Sequence, residues 1–457
     1  MEPPVDSNPA EKRLIGECID RLSNLPDPIL GHILSYVPTK NAVATSILST
    51  RWKNLFPFGV PPINIDLDDT LLLNPRRIRY SSTYRRFSEF VDKLLNETLR
   101  DVPCVEIMIL SCKKKYGDEK VISWVSAALR LNVRHLLLRS AFMSNSVTLF
   151  HTFDGCTTIK KLELGRNFDL YLPGNFTLPN LIKLTLDHLV FHEDTESIQE
   201  LLDGCPMLEY LAIEGCDLVF MDTLSIRCPL LEELVIEECF EASGCELVIE
   251  APNLTGLFYV GNVAGDYYVN NFKSLNVAHI DVGPSPEELE EAETEGKEEE
   301  EHWYFDCCVG KLINSCSSVH HLYLSDASIA ALQRLSFQLP TFQNLIDLAL
   351  GCMGIYGWKL LACLLKSAPN LEKLVIEEGF NEYEGGFESF KSSLPSLPIC
   401  LELNVKKIKF RYFLKNGKVL QNSTISPFLY EYFAEIEYIA DALKDVLVCF
   451  HVITFGT

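Results

Sequence analysis

The stretch Leu201-Leu202-Asp203-Gly204-Cys205-Pro206-Met207-Leu208-Glu209-Tyr210-Leu211-Ala212-Ile213 decides the fold. Its first half reads as a helix that stops shortly before a proline, because the residue preceding proline is disfavoured in the helical region. Its second half, apolar-x-x-Leu-x-apolar, reads as a short strand. The strand phrase recurs along the chain as Val133–Leu138, Ile159–Leu164, Leu181–Leu186, Leu231–Ile236 and Leu254–Tyr259. It continues as a weaker Leu275–Ile280, then Val319–Leu324, Leu345–Leu350, Leu371–Ile376 and a last candidate, Val405–Phe410. The central anchors stand at 136, 162, 184, 211, 234, 257, 278, 322, 348 and 374, most of them 21 to 27 residues apart.

That period is the one of leucine-rich repeats. Each repeat supplies one strand, the strands stack as a parallel sheet inside an arc, and helical or irregular returns form the outside. The expected class is α/β, with repeats over 61–338 and last repeats over 339–425. One spacing, 278 to 322, is wider and holds Glu287 to Glu301, with ten glutamates and one lysine. So acidic a run cannot bury enough surface to order itself and reads as a disordered loop over 285–301; a docking site for a basic partner is the alternative. Ahead of the repeats, Ile63-Asn64-Ile65-Asp66-Leu67 alternates like a strand, and Tyr84 to Leu99 has helical spacing.

Leu22 to Phe56 has a different rhythm. Pro26 suits the first turn of a helix, with Asn24 as a cap. Ile29 with Ile33, and Leu30 with Leu34, fall one turn apart, and Val37 follows. This is a wide apolar surface rather than one stripe. Pro38 ends the helix. Thr39 or Asn41 can cap a second, carrying Val43, Ile47 and Leu48, and Ser49 a third, carrying Trp52, Leu55 and Phe56. So short a unit cannot bury that much on itself; it needs a partner or the following domain.

Leu25-Pro26-x-x-Ile29-Leu30-x-x-Ile33-Leu34-Ser35-Tyr36, followed by Ala42-x-x-Thr45-Ser46-Ile47-Leu48-Ser49-x-Arg51-Trp52-x-x-Leu55, resembles an F-box. The Cys/Ala-Pro-x-Leu phrasing is similar to plant F-box leucine-rich-repeat proteins. From about Leu339 the chain resembles the FBD region of that family, in Thr341–Leu345, Pro395–Cys400 and Arg411–Leu420. The final run Val446–Phe455 departs from it, so 426–457 is a divergent segment. The resemblance implies a three-helix F-box over 18–60, after a disordered tail over 1–17. It implies a substrate-recognition subunit of a Skp–cullin–F-box ubiquitin ligase, not an enzyme itself and without cofactor. Leu25, Pro26, Ile29, Leu30, Ile33, Leu34, Val37, Ile47, Leu48, Trp52 and Leu55 would pack on a Skp-type adaptor, and through it reach a cullin and a RING protein. A repeat scaffold with a vestigial F-box and no ligase recruitment is the alternative.

Composition narrows the partners. A net charge of −23 repels phosphates, which argues against nucleic acid and anionic membranes. No stretch of 18 apolar residues occurs, and the N-terminus lacks the pattern of a signal peptide. The 16 cysteines form no Cys-x-x-Cys pair or zinc spacing. Cys205, Cys216, Cys228, Cys239 and Cys316 recur at fixed repeat positions, so they read as reduced core thiols of a cytoplasmic or nuclear protein. No catalytic motif stands out, and His135, His279, His320 and His321 read as structural. On the concave face, strand residues beside the anchors are Glu163, Asp187, Glu214, Glu233, Glu237, Asp281, Asp347 and Glu377 against Arg139, Lys161, Lys183 and Lys373. That face favours a basic protein substrate and disfavours an inositol-phosphate pocket. Its candidate substrate residues are Glu163, Asp187, Tyr210, Glu214, Glu237, Phe258 and Tyr323.

Overall fold

A computed structural model describes residues 22–421, apart from 23, 58–62, 71–79, 115, 141–145, 166–171, 173, 190–196, 219–220, 240–244, 270–271, 284–297, 335–338, 352–356, 379–397 and 416–417. The expectations for the tail, for most of the acidic run and for 426–457 lie outside the described residues.

In chain order the strands are β1 (Asn64–Asp68), β2 (Ile107–Cys112), β3 (His135–Ser140), β4 (Lys161–Gly165), β5 (Lys183–Asp187) and β6 (Tyr210–Glu214). There follow β7 (Thr223–Arg227), β8 (Glu233–Cys239), β9 (Glu246–Glu250), β10 (Gly256–Asn262), β11 (Asp266–Val269) and β12 (Val277–Gly283). The last are β13 (His321–Leu324), β14 (Asp347–Leu350), β15 (Lys373–Glu378), β16 (Lys407–Lys415) and β17 (Lys418–Gln421). All but β7, β9 and β11 join one 14-stranded open sheet. Neighbours run parallel up to β16, and β17 turns back antiparallel.

Register follows the repeat phrase. The anchors Leu136, Leu162, Leu184, Leu211, Leu234, Leu257 and Ala278 lie side by side on consecutive strands. All are buried, because a strand puts alternate residues on opposite faces. Two strands extend the row toward the N-terminus. Met108 on β2 pairs with Leu136, and Ile65 on β1 pairs with Met108. The β2 repeat escapes the sequence pattern because methionine stands where leucine is sought.

The returns differ along the arc. Helices Asp118–Arg130, Ser146–Phe153 and Ser197–Asp203 serve early repeats. Helices Glu298–Ser315, Asp326–Arg334 and Gly357–Ser367 serve late ones. Between them the returns are neither helical nor irregular. Strands β7, β9 and β11 form a second parallel sheet, in the order β11-β9-β7. Thr223-Leu-Ser-Ile-Arg227 and Glu246-Leu-Val-Ile-Glu250 alternate with period two, and their Leu224, Ile226, Leu247 and Ile249 are buried. The acidic run also differs from expectation at its end: residues 298–301 open the helix Glu298–Ser315.

An asparagine ladder ties successive turns together. The amides of Asn132, Asn180, Asn253, Asn370 and Asn404 donate to the carbonyls of Pro103, Thr157, Pro229, Gln343 and Pro369, at 2.8 or 2.9 Å. Each asparagine directly precedes the first apolar residue of its strand phrase. Where that position is Met207 or Leu230 the side chain is exposed. At Gly204 the chain passes so close to its neighbour that a Cβ would lie 2.3 Å from the Phe176 carbonyl oxygen.

The recurrent cysteines are buried free thiols. Burial pushes Cys205, Cys228, Cys239 and Cys316 up to about 12, so they stay protonated and unreactive.

Candidate functional site

The N-terminal unit is built from α1 (Asp27–Ser35), α2 (Thr39–Ala44) and α3 (Thr50–Leu55). Pro26 stands at the cap position of α1 and Pro28 within its first turn, with no side-chain cap; the role expected of Asn24 is not seen. Pro38 likewise precedes α2. Thr39, buried, accepts instead from the Asp66 amide on β1 at 2.7 Å. Ser49 does cap α3, accepting from the Trp52 amide at 3.3 Å. The Arg51 guanidinium bonds Asp27 at 2.7 Å and the Leu25 carbonyl, tying α3 to the start of α1.

Eleven residues of this unit share one expected role, and the structure divides them. Leu30 is 0% exposed and Trp52 4%, and Leu34 and Leu55 are equally enclosed. These four belong to the protein's own core, continuous with Ile63 and Ile65, so they hold the unit together rather than face outward. Leu25 and Val37 pack partly against the same core. Pro26, Ile29, Ile33, Ile47 and Leu48 are exposed. Ile47 is 84% and Leu48 63% exposed, on the 3-10 turn between α2 and α3. Tyr36, absent from the expected set, is 79% exposed. It stands three residues beyond Ile33, on the stripe of α1 that Ile29 begins. That helical spacing was the signal for it.

The concave face carries the other expected residues. Glu163, Asp187, Tyr210, Glu214, Phe258 and Tyr323 are half-buried there, and Glu237 is exposed. They do not form one cluster. Toward β3–β5 the acids are compensated. Glu163 accepts from His135 at 2.7 Å, and that bond pulls its carboxyl below the usual range. Asp187 faces Arg139 at 3.8 Å and bonds His188. Lys183 lies over the Tyr210 ring, 4.4 Å from its centroid.

The middle of the arc differs. Phe258, His279 and Tyr323 occupy one register row on β10, β12 and β13. Their rings stack, with centroids 6.2 Å apart for Phe258–His279 and 4.1 Å for His279–Tyr323. His279, read as structural, is thus the centre of this platform; its register between two aromatics was the missed signal. Glu214, Glu237 and Asp281 follow the second anchors of β6, β8 and β12. Burial raises the Glu214 carboxyl above its ordinary pKa, and the charges of Asp187, Glu237 and Glu163 add to the shift.

The comparisons with known proteins agree with this architecture. The F-box domain model matches residues 22–57. The model described as "FBD-associated F-box protein At5g56370, LRR repeats" matches residues 121–280. The F-box/LRR-repeat protein At4g14103 of Arabidopsis thaliana is 32% identical over 373 residues, covering 78% of this chain and 91% of that protein. The F-box/LRR-repeat protein At3g59200 of the same plant is 30% identical over 417 residues, covering 87% and 77%. Among the described residues, no helix is long and apolar enough to cross a membrane. With its N-terminal F-box and its open parallel repeat sheet, the chain belongs to the F-box/LRR-repeat proteins.

Proposed function

We propose that the chain is the substrate-receptor subunit of a Skp–cullin–F-box-type ubiquitin ligase, acting in the cytoplasm or nucleus. Its exposed F-box face, Pro26, Ile29, Ile33, Tyr36, Ile47 and Leu48, docks on a Skp-type adaptor and through it on a cullin and a RING protein. The concave face of the repeats holds the protein substrate. The chain makes and breaks no bond itself. It raises the local concentration of a substrate lysine beside a charged ubiquitin carrier, so the rate gain comes from proximity.

One observation carries this reading. The F-box core is already filled by Leu30, Leu34, Trp52 and Leu55, yet large apolar side chains remain outside it. Folding does not need them, and leaving them in water forgoes burial. A partner surface accounts for them.

The test is co-expression of the full-length chain with a Skp-type adaptor, followed by gel filtration. The wild-type chain is expected to co-elute with the adaptor and Ile47→Asp to elute without it, both remaining folded. Co-elution of both, or of neither, refutes the docking. The second result would leave a repeat scaffold that recruits no ligase.

A further inference from the structure

The middle of the concave face combines two features that no other part of the described sheet combines. One is the stacked row Phe258–His279–Tyr323. The other is uncompensated negative charge. Strands β6, β8, β10 and β12 contain no lysine or arginine, but carry Glu214, Glu233, Glu237, Glu238 and Asp281. Glu214, Glu237 and Asp281 form no ion pair with a base among the described residues, unlike Glu163 and Asp187 on the neighbouring strands. The carboxylates and the rings lie in adjacent inward rows, two residues apart along the strand, about 7 Å.

From this arrangement we infer that the centre of the arc binds an extended basic segment of the substrate, with an arginine packed against the Phe258 end of the ring stack, where the row ends beside β8, and its guanidinium bonded to Glu237 or Asp281. The inference rests on the substrate-receptor reading and names the class of substrate. Guanidinium is flat, stacks on aromatic rings and presents a fork of donors to carboxylates. An ammonium gains the charge but not the stacking. The platform itself stays uncharged near neutral pH, because burial lowers the His279 pKa below the ordinary histidine value, against the opposing fields of Asp281, Glu237 and Glu377. A cation is therefore attracted by the acids and not repelled by the ring between them. Burial raises the Glu214 carboxyl above its ordinary value, and the neighbouring acids Asp187, Glu237 and Glu163 add to that shift against the opposing charge of Arg139. Holding these acids together has a cost that a bound cation relieves.

The experiment uses the full-length chain without adaptor, so that failure of F-box docking leaves it readable. Fluorescence anisotropy is followed for short labelled Gly/Ser peptides carrying spaced arginines, the same peptide with lysines, and the same with glutamines. The arginine peptide is expected to bind tightest, the lysine peptide several-fold weaker and the glutamine peptide not at all. Glu237→Gln with Asp281→Asn is expected to weaken arginine binding by about tenfold or more, as loss of charge-assisted hydrogen bonds implies. Phe258→Leu keeps an apolar side chain but no ring, and is expected to narrow the preference for arginine over lysine. Glu214→Gln is a control for folding, since it is expected to weaken binding while raising the melting temperature. Glutamines in place of the glutamates of 287–301 are expected to leave arginine binding unchanged. Equal binding of the arginine and glutamine peptides overturns the proposal. So does unchanged affinity in the Glu237/Asp281 variant, or binding abolished only by the change at 287–301.

Discussion

Replacing Ile47 and Leu48 by alanine tests the division of the F-box into core and face. The two side chains are 84% and 63% exposed, so in the free protein they bury little. Fully burying such a side chain is worth about 1.5–3 kcal/mol. Alanine keeps the Cβ, so each truncation forfeits about 1–2 kcal/mol of docking, and the pair about 2–4 kcal/mol. At about 1.4 kcal/mol per factor of ten, adaptor affinity falls from about thirtyfold to several hundredfold. Stability is expected to stay within about 0.5 kcal/mol, as for exposed positions without special contacts. Leu30→Ala is the reciprocal control. Leu30 is 0% exposed, and such a truncation costs about 2–5 kcal/mol of folding stability. Calorimetric titration with the adaptor reads the first quantity and urea unfolding the second. Wild-type affinity in Ile47→Ala/Leu48→Ala would refute the docking argument. A loss of stability there as large as in Leu30→Ala would show that the face is structural.

Four substitutions in the repeats have expected outcomes of their own. Asn253→Ala removes a bond to the Pro229 carbonyl and is expected to cost about 0.5–1.5 kcal/mol in urea unfolding; Leu230→Asn, placing the ladder amide near the Pro206 carbonyl, is expected to gain a similar amount. Glu214 has a raised folded pKa, so the native state holds its proton more tightly than the unfolded chain, and this group's contribution to stability falls as pH rises through that raised value. Glu214→Gln is therefore expected to raise the melting temperature at neutral pH, with the gain vanishing as pH falls below the ordinary value of 4.5, where both states are protonated. Gly204→Ala places a methyl 2.3 Å from the Phe176 carbonyl oxygen, which must move, and is expected to destabilise by about 1–3 kcal/mol in the same urea assay.

The sheet was legible because each repeat states its register twice, at Leu211 and Ile213 for example, and both anchors recur in every strand. What was not legible came from substitutions within that grammar. Met108 occupies an anchor position without being leucine, yet its strand pairs with both neighbours; Ala278, also not leucine, stayed legible through Leu275 and Ile280. The outer strands β7 and β9 are short alternating segments, and only packing on the main sheet distinguishes them from irregular returns. In the F-box, sequence periodicity identified apolar residues but not which way each faces. Leu30 and Ile29 are adjacent and equally apolar; one is enclosed and the other is exposed. Three short helices folding on β1 set that difference, and a linear pattern does not contain it. On the concave face, the acids were visible in the sequence, but the stacking of His279 between Phe258 and Tyr323 needed the register.

The apolar excess of Leu22–Phe56 was expected to require either an outside partner or the following domain; Leu30, Leu34, Trp52 and Leu55 meet the second demand, and Ile29, Ile33, Ile47 and Leu48 remain exposed for the first. Helix α2 lies against β1, and the buried Thr39 hydroxyl accepts from Asp66 across that joint. Helix α2 thereby shields part of the first edge of a parallel sheet, an edge whose unpaired backbone would otherwise invite association. The joint also bears on proximity. Were the F-box tethered by a loose linker, a substrate on the arc would sample many positions relative to the ligase, and its effective concentration at the reacting centre would fall with the volume explored. Here Leu30, Trp52, Ile63 and Ile65 share one core. Ile47 and Leu48 are therefore held at a fixed orientation to the concave face, and a basic segment bound at Phe258–Tyr323 would be presented in a narrow range of positions. Leu30 and Trp52, expected at the partner surface, are enclosed in this shared core, so under the proposed docking they would act through its rigidity rather than by contact.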